Sequence, residues 1–119
     1  MPTTRDRGAR GEQLAREFLE AKGYRFLSAN WLCKVGEIDL VMRHGTTRVL
    51  VEVRLRRPTS FGTGFDTVAY QKQQKLIRTA RYYQQKERYW GDVRFDVVSI
   101  IDAPNQEPTV EHIEDAFGV

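Results

Sequence analysis

Two acidic runs define the chemistry open to this chain: Gly36-Glu37-Ile38-Asp39-Leu40 and Val51-Glu52-Val53-Arg54. Each places carboxylates in a stretch whose other residues read as buried β-strand. If the runs pair, Asp39 and Glu52 oppose one another, and two carboxylates about 5 Å apart repel by roughly 3 kcal/mol at an effective dielectric near 20. Protonating one acid, leaving the pair in water, or supplying a cation relieves that repulsion. A divalent metal is the cation that carboxylate oxygens most often hold. The watery alternative is a solvated hairpin face in which Glu37 and Arg54 form an ordinary cross-strand ion pair. Against it, both strands carry one strongly apolar face and keep Val41 and Leu50 on the acidic face, a pattern that calls for cover on both sides.

A β-hairpin must position these acids. In residues 35–43, Ile38, Leu40 and Met42 point one way, and Glu37, Asp39 and Val41 the other. In residues 49–56 the apolar set is Val49, Val51, Val53 and Leu55, opposite Leu50, Glu52, Arg54 and Arg56. Between them Gly45 can open a type II′ turn with Gly45-Thr46 as its central pair. That register sets Asp39 across from Glu52 and Glu37 across from Arg54. A turn centred on His44-Gly45 would instead face Glu37 with Glu52, still on the same side.

The 119 residues, 40% of them hydrophobic, suit a single domain over 1–119 with one core; residues 1–8 are expected to be a flexible tail. No apolar run approaches the ~20 residues of a membrane span, and the polar, basic N-terminus lacks the apolar centre of a secretory signal. A cytoplasmic protein without a membrane partner is expected. One cysteine, Cys33, and two histidines cannot build a zinc site, and a lone cysteine excludes an internal disulfide. The net charge of +3 is modest, but Lys72, Lys75, Arg78, Arg81, Lys86 and Arg88 fall in one predicted helix close to Arg54, Arg56 and Arg57. Basic residues concentrated mid-chain suggest a polyanionic partner.

Around the hairpin the pattern predicts a helix from Arg10 to Lys22, with Leu14, Ala15, Phe18 and Leu19 as its apolar stripe and Gly23 as its stop. A first strand follows from Tyr24 to Leu32. After the hairpin, residues 58–64 read as a flexible loop, and Asp66 or Thr67 can cap a second helix that runs to about Arg88 before Gly91. Residues 93–101 form a further strand, and 110–113 a short final one. On the first helix Glu12 shares a side with Ala15 and Leu19, and Gly11 permits close approach to the sheet. Glu12 can therefore reach toward the acidic hairpin, or serve simply as a first-turn glutamate favoured by the helix dipole. On the second helix Ala69, Leu76, Ile77, Ala80 and Tyr83 form the packed stripe, with Lys72 at its border.

In this order the residues resemble the PD-(D/E)XK nuclease superfamily and, more narrowly, the YraN-like (UPF0102) family, whose members are similar to archaeal Holliday-junction resolvases. The matching elements are Gly11-Glu12 with Ala15, Asn30, Gly36 to Leu40, Val51 to Arg54, Arg57, Phe61-Gly62, Lys72 and Arg94-Phe95-Asp96-Val97-Val98. They span nearly the whole chain. The resemblance implies an α/β restriction-endonuclease-like core of order α-β-β-β-α-β, a mixed central sheet flanked by helices. It implies Asp39 and Glu52 as ligands of Mg²⁺ or Mn²⁺, with Glu12 as a third acidic residue. Arg54 occupies the position of the superfamily's catalytic lysine. Arginine stays protonated and stabilises charge but cannot act as a base. Either the metal alone acidifies the attacking water, or Lys72 reaches in to take the lysine's part, or hydrolysis is lost.

The expected function is therefore a metal-dependent endonuclease on DNA, more than on RNA, at branched or single-stranded sites. Glu12, Asp39, Glu52, Arg54 and Lys72 form the expected catalytic set, and Arg56, Arg57, Lys72, Lys75 and Arg78 the phosphate contacts. A homodimer is compatible with this reading, since junction resolvases cut two strands. The alternatives are a nucleic-acid-binding module that kept the fold without the chemistry, and an adaptor whose partner covers the acidic C-terminal end or the aromatic residues Tyr82, Tyr89 and Trp90, which could also stack on bases.

Overall fold

A computed structural model describes residues 4–57 and 68–118, and the side chains of its first helix from Gly8 onward. The elements run α1 (Thr4–Ala21), β1 (Arg25–Cys33), β2 (Gly36–His44), β3 (Thr47–Arg56), α2 (Tyr70–Glu87), β4 (Val93–Ile101) and β5 (Thr109–Phe117). The strands form one mixed sheet in the order β1-β2-β3-β4-β5. β1, β2 and β3 are antiparallel neighbours, β3 and β4 are parallel, and β4 and β5 are antiparallel. The one parallel pair needs a crossover, and α2 supplies it.

Each helix covers one face. Ala15 and Leu19 of α1 pack with Leu40, Met42, Val49, Val51, Val98 and Ile100. Leu76, Ile77, Ala80 and Tyr83 of α2 pack with Ile38, Val41, Leu50, Phe95 and Val97. Cover on both faces accounts for the near-continuous apolar strands. Among the described residues no helix is long and apolar enough to cross a membrane.

The β2–β3 hairpin takes the Gly45-Thr46 register, with His44 opposite Thr47 and Leu40 opposite Val51. Gly45 has φ 62°, whereas Thr46 stays out of the left-handed region, as a type II′ turn requires. Beyond Leu40 and Val51 the ladder ends although both strands continue. β2 goes on pairing with β1 as far as Cys33–Gly36, and β3 with β4 as far as Arg56–Ile101. The strict alternation expected of β2 fails at this fork: Ile38 packs on the α2 side, whereas Leu40 and Met42 pack on the α1 side.

Other expectations need correction. The order gains a full β5 in place of a short strand at 110–113. Glu111, Glu114 and Asp115 obscure its period, but an edge strand needs only one paired side, and Phe117 stacks on Phe95 at 4.7 Å. The first helix begins at Thr4, inside the expected tail. The second ends at Glu87 with Arg88 as its cap, where the sequence put its end: Arg88 adopts the left-handed conformation and donates its N–H to the Gln84 and Gln85 carbonyls. Ala69 lies before α2 and is exposed, while Thr79 joins the buried stripe. The caps Asp66 and Thr67, the 58–64 loop and Phe61-Gly62 lie outside the described residues.

Two local constraints hold this frame. A Cβ on Gly36 would sit 2.5 Å from Thr79 Oγ1, so α2 crosses β2 where only glycine fits. Asp96 on β4 is wholly buried. It accepts hydrogen bonds from Arg94 Nε (2.9 Å) and the Asp115 amide (3.1 Å), and lies 2.7 Å from His112 Nε2. Lys22 Nζ lies 2.9 Å from His112 Nδ1; a lysine only donates, so Nδ1 accepts and Nε2 carries the proton given to Asp96. Burial raises the Asp96 pKa, but the bonds from His112, Arg94 and the Asp115 amide outweigh it and hold the carboxyl at about 2.

Gly36→Ala should lose about 1–3 kcal/mol by overpacking, and adding Thr79→Ala should recover most of it in urea unfolding. Asp96 has a depressed folded pKa, so its stabilisation is present above the unfolded value of about 3.9 and disappears as pH falls toward 2. Asp96→Ala should cost roughly 3–5 kcal/mol near neutral pH and progressively less in acid, as followed by unfolding midpoints across that range.

Candidate active site

The fork between β2 and β3 gathers the acids. Where the ladder stops, the Val53 N–H has no β2 carbonyl to meet, and Asp39 Oδ2 accepts it at 2.8 Å. Asp39 is thus fixed by its own strand and by the neighbouring one. Glu37 lies two residues back on β2, at the exposed end of the run.

Glu12 arrives from the other face. α1 sits close to the sheet because Gly11 is buried against Leu55, whose side chain a Cβ there would meet at 3.0–3.2 Å. Asn30 Nδ2 donates to Glu12 Oε1 at 3.1 Å. Asn30 lies inside β1 at φ 54°, a conformation that asparagine tolerates better than most side chains. Carboxylate oxygens of Glu12, Glu37 and Asp39 lie within 4.8 Å of one another. The inward reach of Glu12, one of two readings open in the sequence, is the one the structure shows.

On the α2 side a cleft of about 210 Å³ is lined by Gly36, Glu37, Asp39, Glu52, Lys72, Lys75, Leu76 and Thr79. Lys72 Nζ pairs with Glu52 Oε1 at 2.5 Å; the Glu52 side chain is 11% exposed and that of Lys72 47%. Burial pushes the Asp39 carboxyl up to about 7, helped by the charges of Glu52, Glu12 and Glu37 and opposed by the Val53 N–H. Burial also raises Glu12, against its bond from Asn30 and with the Glu37 charge. Desolvation is thus the main cause of both shifts, and the neighbouring carboxylates add to it.

The expected residues divide into groups. Asp39, Glu52, Lys72 and Lys75 share the cleft, and Glu12 joins Asp39 from the α1 side. The tightest acidic trio is completed by Glu37 in place of the expected Glu52, which Lys72 engages. Arg54 is half-buried on β3, on the Glu52 face and beside Ser99 of β4; Lys72 and Lys75, not Arg54, line the cleft. Arg56 and Arg57 are exposed at the end of β3, and Arg78 is exposed on α2 one turn beyond Lys75. Tyr82 follows on the same helix with Lys34 Nζ 5.5 Å from its ring centre. Glu37 is absent from the expected ligand set, where the register placed it across from Arg54; its i, i+2 spacing from Asp39 is the signal in the sequence that points to it.

The family model described as uncharacterised protein family UPF0102 matches residues 11–100. The chain belongs to the UPF0102 family. A UPF0102 protein of Stutzerimonas stutzeri is 43% identical over 119 residues, covering 98% of both chains. One of Pseudomonas fluorescens is 48% identical over 95 residues, 78% of this chain and 79% of its own. One of Nocardia farcinica is 38% identical over 111 residues, 92% and 87%. The UPF0102 match takes in Glu12, Asn30, the fork, Lys72 and Asp96, and stops short of β5.

The raised Asp39 pKa has a definite consequence for stability. The folded form binds a proton more tightly than the unfolded chain, so this residue's contribution declines as pH rises from about 4 to about 7. Asn at this position can still accept from Val53 through its Oδ1. In buffer free of divalent ions, Asp39→Asn should unfold at a higher temperature than the wild type at pH 8, by several degrees. The two melting curves should converge near pH 4.

Proposed function

We propose that this UPF0102 protein is a metal-dependent endonuclease that hydrolyses phosphodiester bonds of DNA at branched or single-stranded sites. The observation that carries this reading is that Glu37 and Asp39 meet Glu12 and also line a cleft with Glu52, Lys72 and Lys75. An oxygen-only donor set with an excess of negative charge fits a hard divalent cation, Mg²⁺ or Mn²⁺. Asp39, Glu52 and Glu12 are its proposed ligands, with Glu37 within reach. When bound, such an ion supplies Lewis-acid polarisation of the phosphodiester and a more acidic water.

The chain's own residues have separable roles in this proposal. Asn30 holds Glu12 toward the acids, and the Val53 N–H fixes the rotamer of Asp39. Lys72 and Lys75 present ammonium groups to the phosphate undergoing attack, where negative charge develops. Arg78, Arg56 and Arg57 take flanking phosphates, and Tyr82 beside Lys34 offers a ring for a base to stack on. Arg54 contributes fixed positive charge from within the sheet.

The second reading is a nucleic-acid-binding module of the same fold without hydrolysis. The Lys72–Glu52 pair favours it, because it already supplies one acid with a counter-charge, as does the arginine in the superfamily's lysine position. Incubation with plasmid and branched DNA, in Mn²⁺ or in chelator, separates the two. The nuclease nicks in Mn²⁺ only, and Asp39→Ala keeps DNA affinity while losing cleavage. The binding module cuts under neither condition yet retains salt-sensitive affinity. In either case Lys75→Ala with Arg78→Ala should lower the salt dependence of log K by about 1 to 2. No binding at low salt would refute both.

A further inference from the structure

The Lys72–Glu52 ion pair is lopsided. Glu52 lies on β3 at the floor of the cleft, its side chain 11% exposed, and its backbone is held in the parallel ladder with β4. It has no route out. Lys72 stands in the first turn of α2 with a side chain 47% exposed. Its ammonium is carried on a flexible four-carbon stem, so it can leave without stranding a buried cation. Lys75, one turn further along α2, lines the same cleft. A departing Lys72 therefore stays at the rim, beside the second ammonium and above the acids.

The charge count explains why it would leave. Glu12, Glu37, Asp39 and Glu52 face the fork or cleft, with the ammonium groups of Lys72 and Lys75 at the cleft and the Arg54 guanidinium held on the Glu52 face of β3. A divalent cation among these acids satisfies Glu52 and repels the Lys72 ammonium. A nucleic-acid phosphate at the rim then attracts it.

Resting on the nuclease reading only in taking these acids as the cation site, we infer that Lys72 is an exchangeable counter-ion. It holds Glu52 while no divalent cation is bound and moves to a phosphate of the nucleic acid when one is. Cation and nucleic acid then bind with positive, reciprocal coupling. Lys72 thus positions charge in two states of the site, where a purely structural ion pair would serve in one.

The test is calorimetric titration of Mn²⁺ into the wild-type protein, Lys72→Met and Lys72→Arg without nucleic acid, with Asp39→Asn as the control for the site. Circular dichroism establishes that each protein is folded. Removing a competing ammonium should tighten Mn²⁺ binding by Lys72→Met roughly fivefold, while Lys72→Arg stays near wild type. A second arm measures binding of a single-stranded oligonucleotide by fluorescence anisotropy, with and without Ca²⁺. The gain on adding Ca²⁺ should be at least halved in Lys72→Met.

Equal or weaker Mn²⁺ binding by Lys72→Met overturns the inference, as does a Lys72→Arg protein that behaves like Lys72→Met. If wild type and Lys72→Met bind Mn²⁺ equally and Asp39→Asn does not, the metal site stands and only the exchange fails. If neither wild type nor Lys72→Met binds Mn²⁺ at millimolar concentration, the nuclease reading falls together with the exchange.

Discussion

The structure turns on the parting of β2 from β3 beyond Leu40 and Val51. An antiparallel pair that separates must satisfy the backbone groups it unpairs, since a buried amide without a partner costs about 1–3 kcal/mol. Asp39 does this for Val53 with its own carboxylate. One side chain thereby replaces a ladder bond and is locked in orientation. The opening also breaches a sheet that otherwise separates the two helical layers, so a glutamate from the α1 side and acids facing the α2 side can meet. Without the fork, Glu12 and the cleft would lie on opposite sides of a closed sheet.

The two carboxylates of the core show opposite electrostatic outcomes. Asp96 is the more deeply buried, yet His112, Arg94 and the Asp115 amide surround it with donors and keep it ionised. Such a network is a finished structure, tying β4 to β5 and, through Lys22, to the end of α1. Asp39 accepts from the Val53 N–H and sits among the charges of Glu52, Glu12 and Glu37, and burial raises its pKa. Local rules tend to be broken where function requires it. A buried acid beside other acids is such a breach, and perturbation of this kind gathers at sites that act on something. A lone elevated pKa would mean little; here it coincides with a cleft and two ammonium groups.

Much of this was legible in the sequence, for reasons that differ by element. The hairpin register followed from one glycine and the alternation of its flanks, and the turn at Gly45-Thr46 is the one observed. The fork was not legible, because alternation describes strands one at a time and is silent on where two of them cease to pair. The regular pattern thus put Ile38 with Leu40, although they pack on opposite sides. β5 was undersized because its exposed acids hide an edge strand's single apolar side. Asn30 had a place in the resemblance but no role until its bond to Glu12 gave it one. The register that sets Asp39 across from Glu52 and Glu37 across from Arg54 extends past the point where the strands divide.

The fork also bears on which positive charge can act. Arg54 is embedded in β3, two residues from Glu52, where the continuing ladder with β4 fixes its backbone. Its guanidinium stays charged at any ordinary pH and offers a steady field. Lys72 reaches the same glutamate from the mobile end of a side chain on a helix that packs against the opposite wall of the cleft. A strand residue supplies charge of fixed position, and a helix residue supplies charge that can be redistributed. Under the proposed function, where a cation and a polyanion share one small volume, the second kind of charge is the one that can give way to the cation.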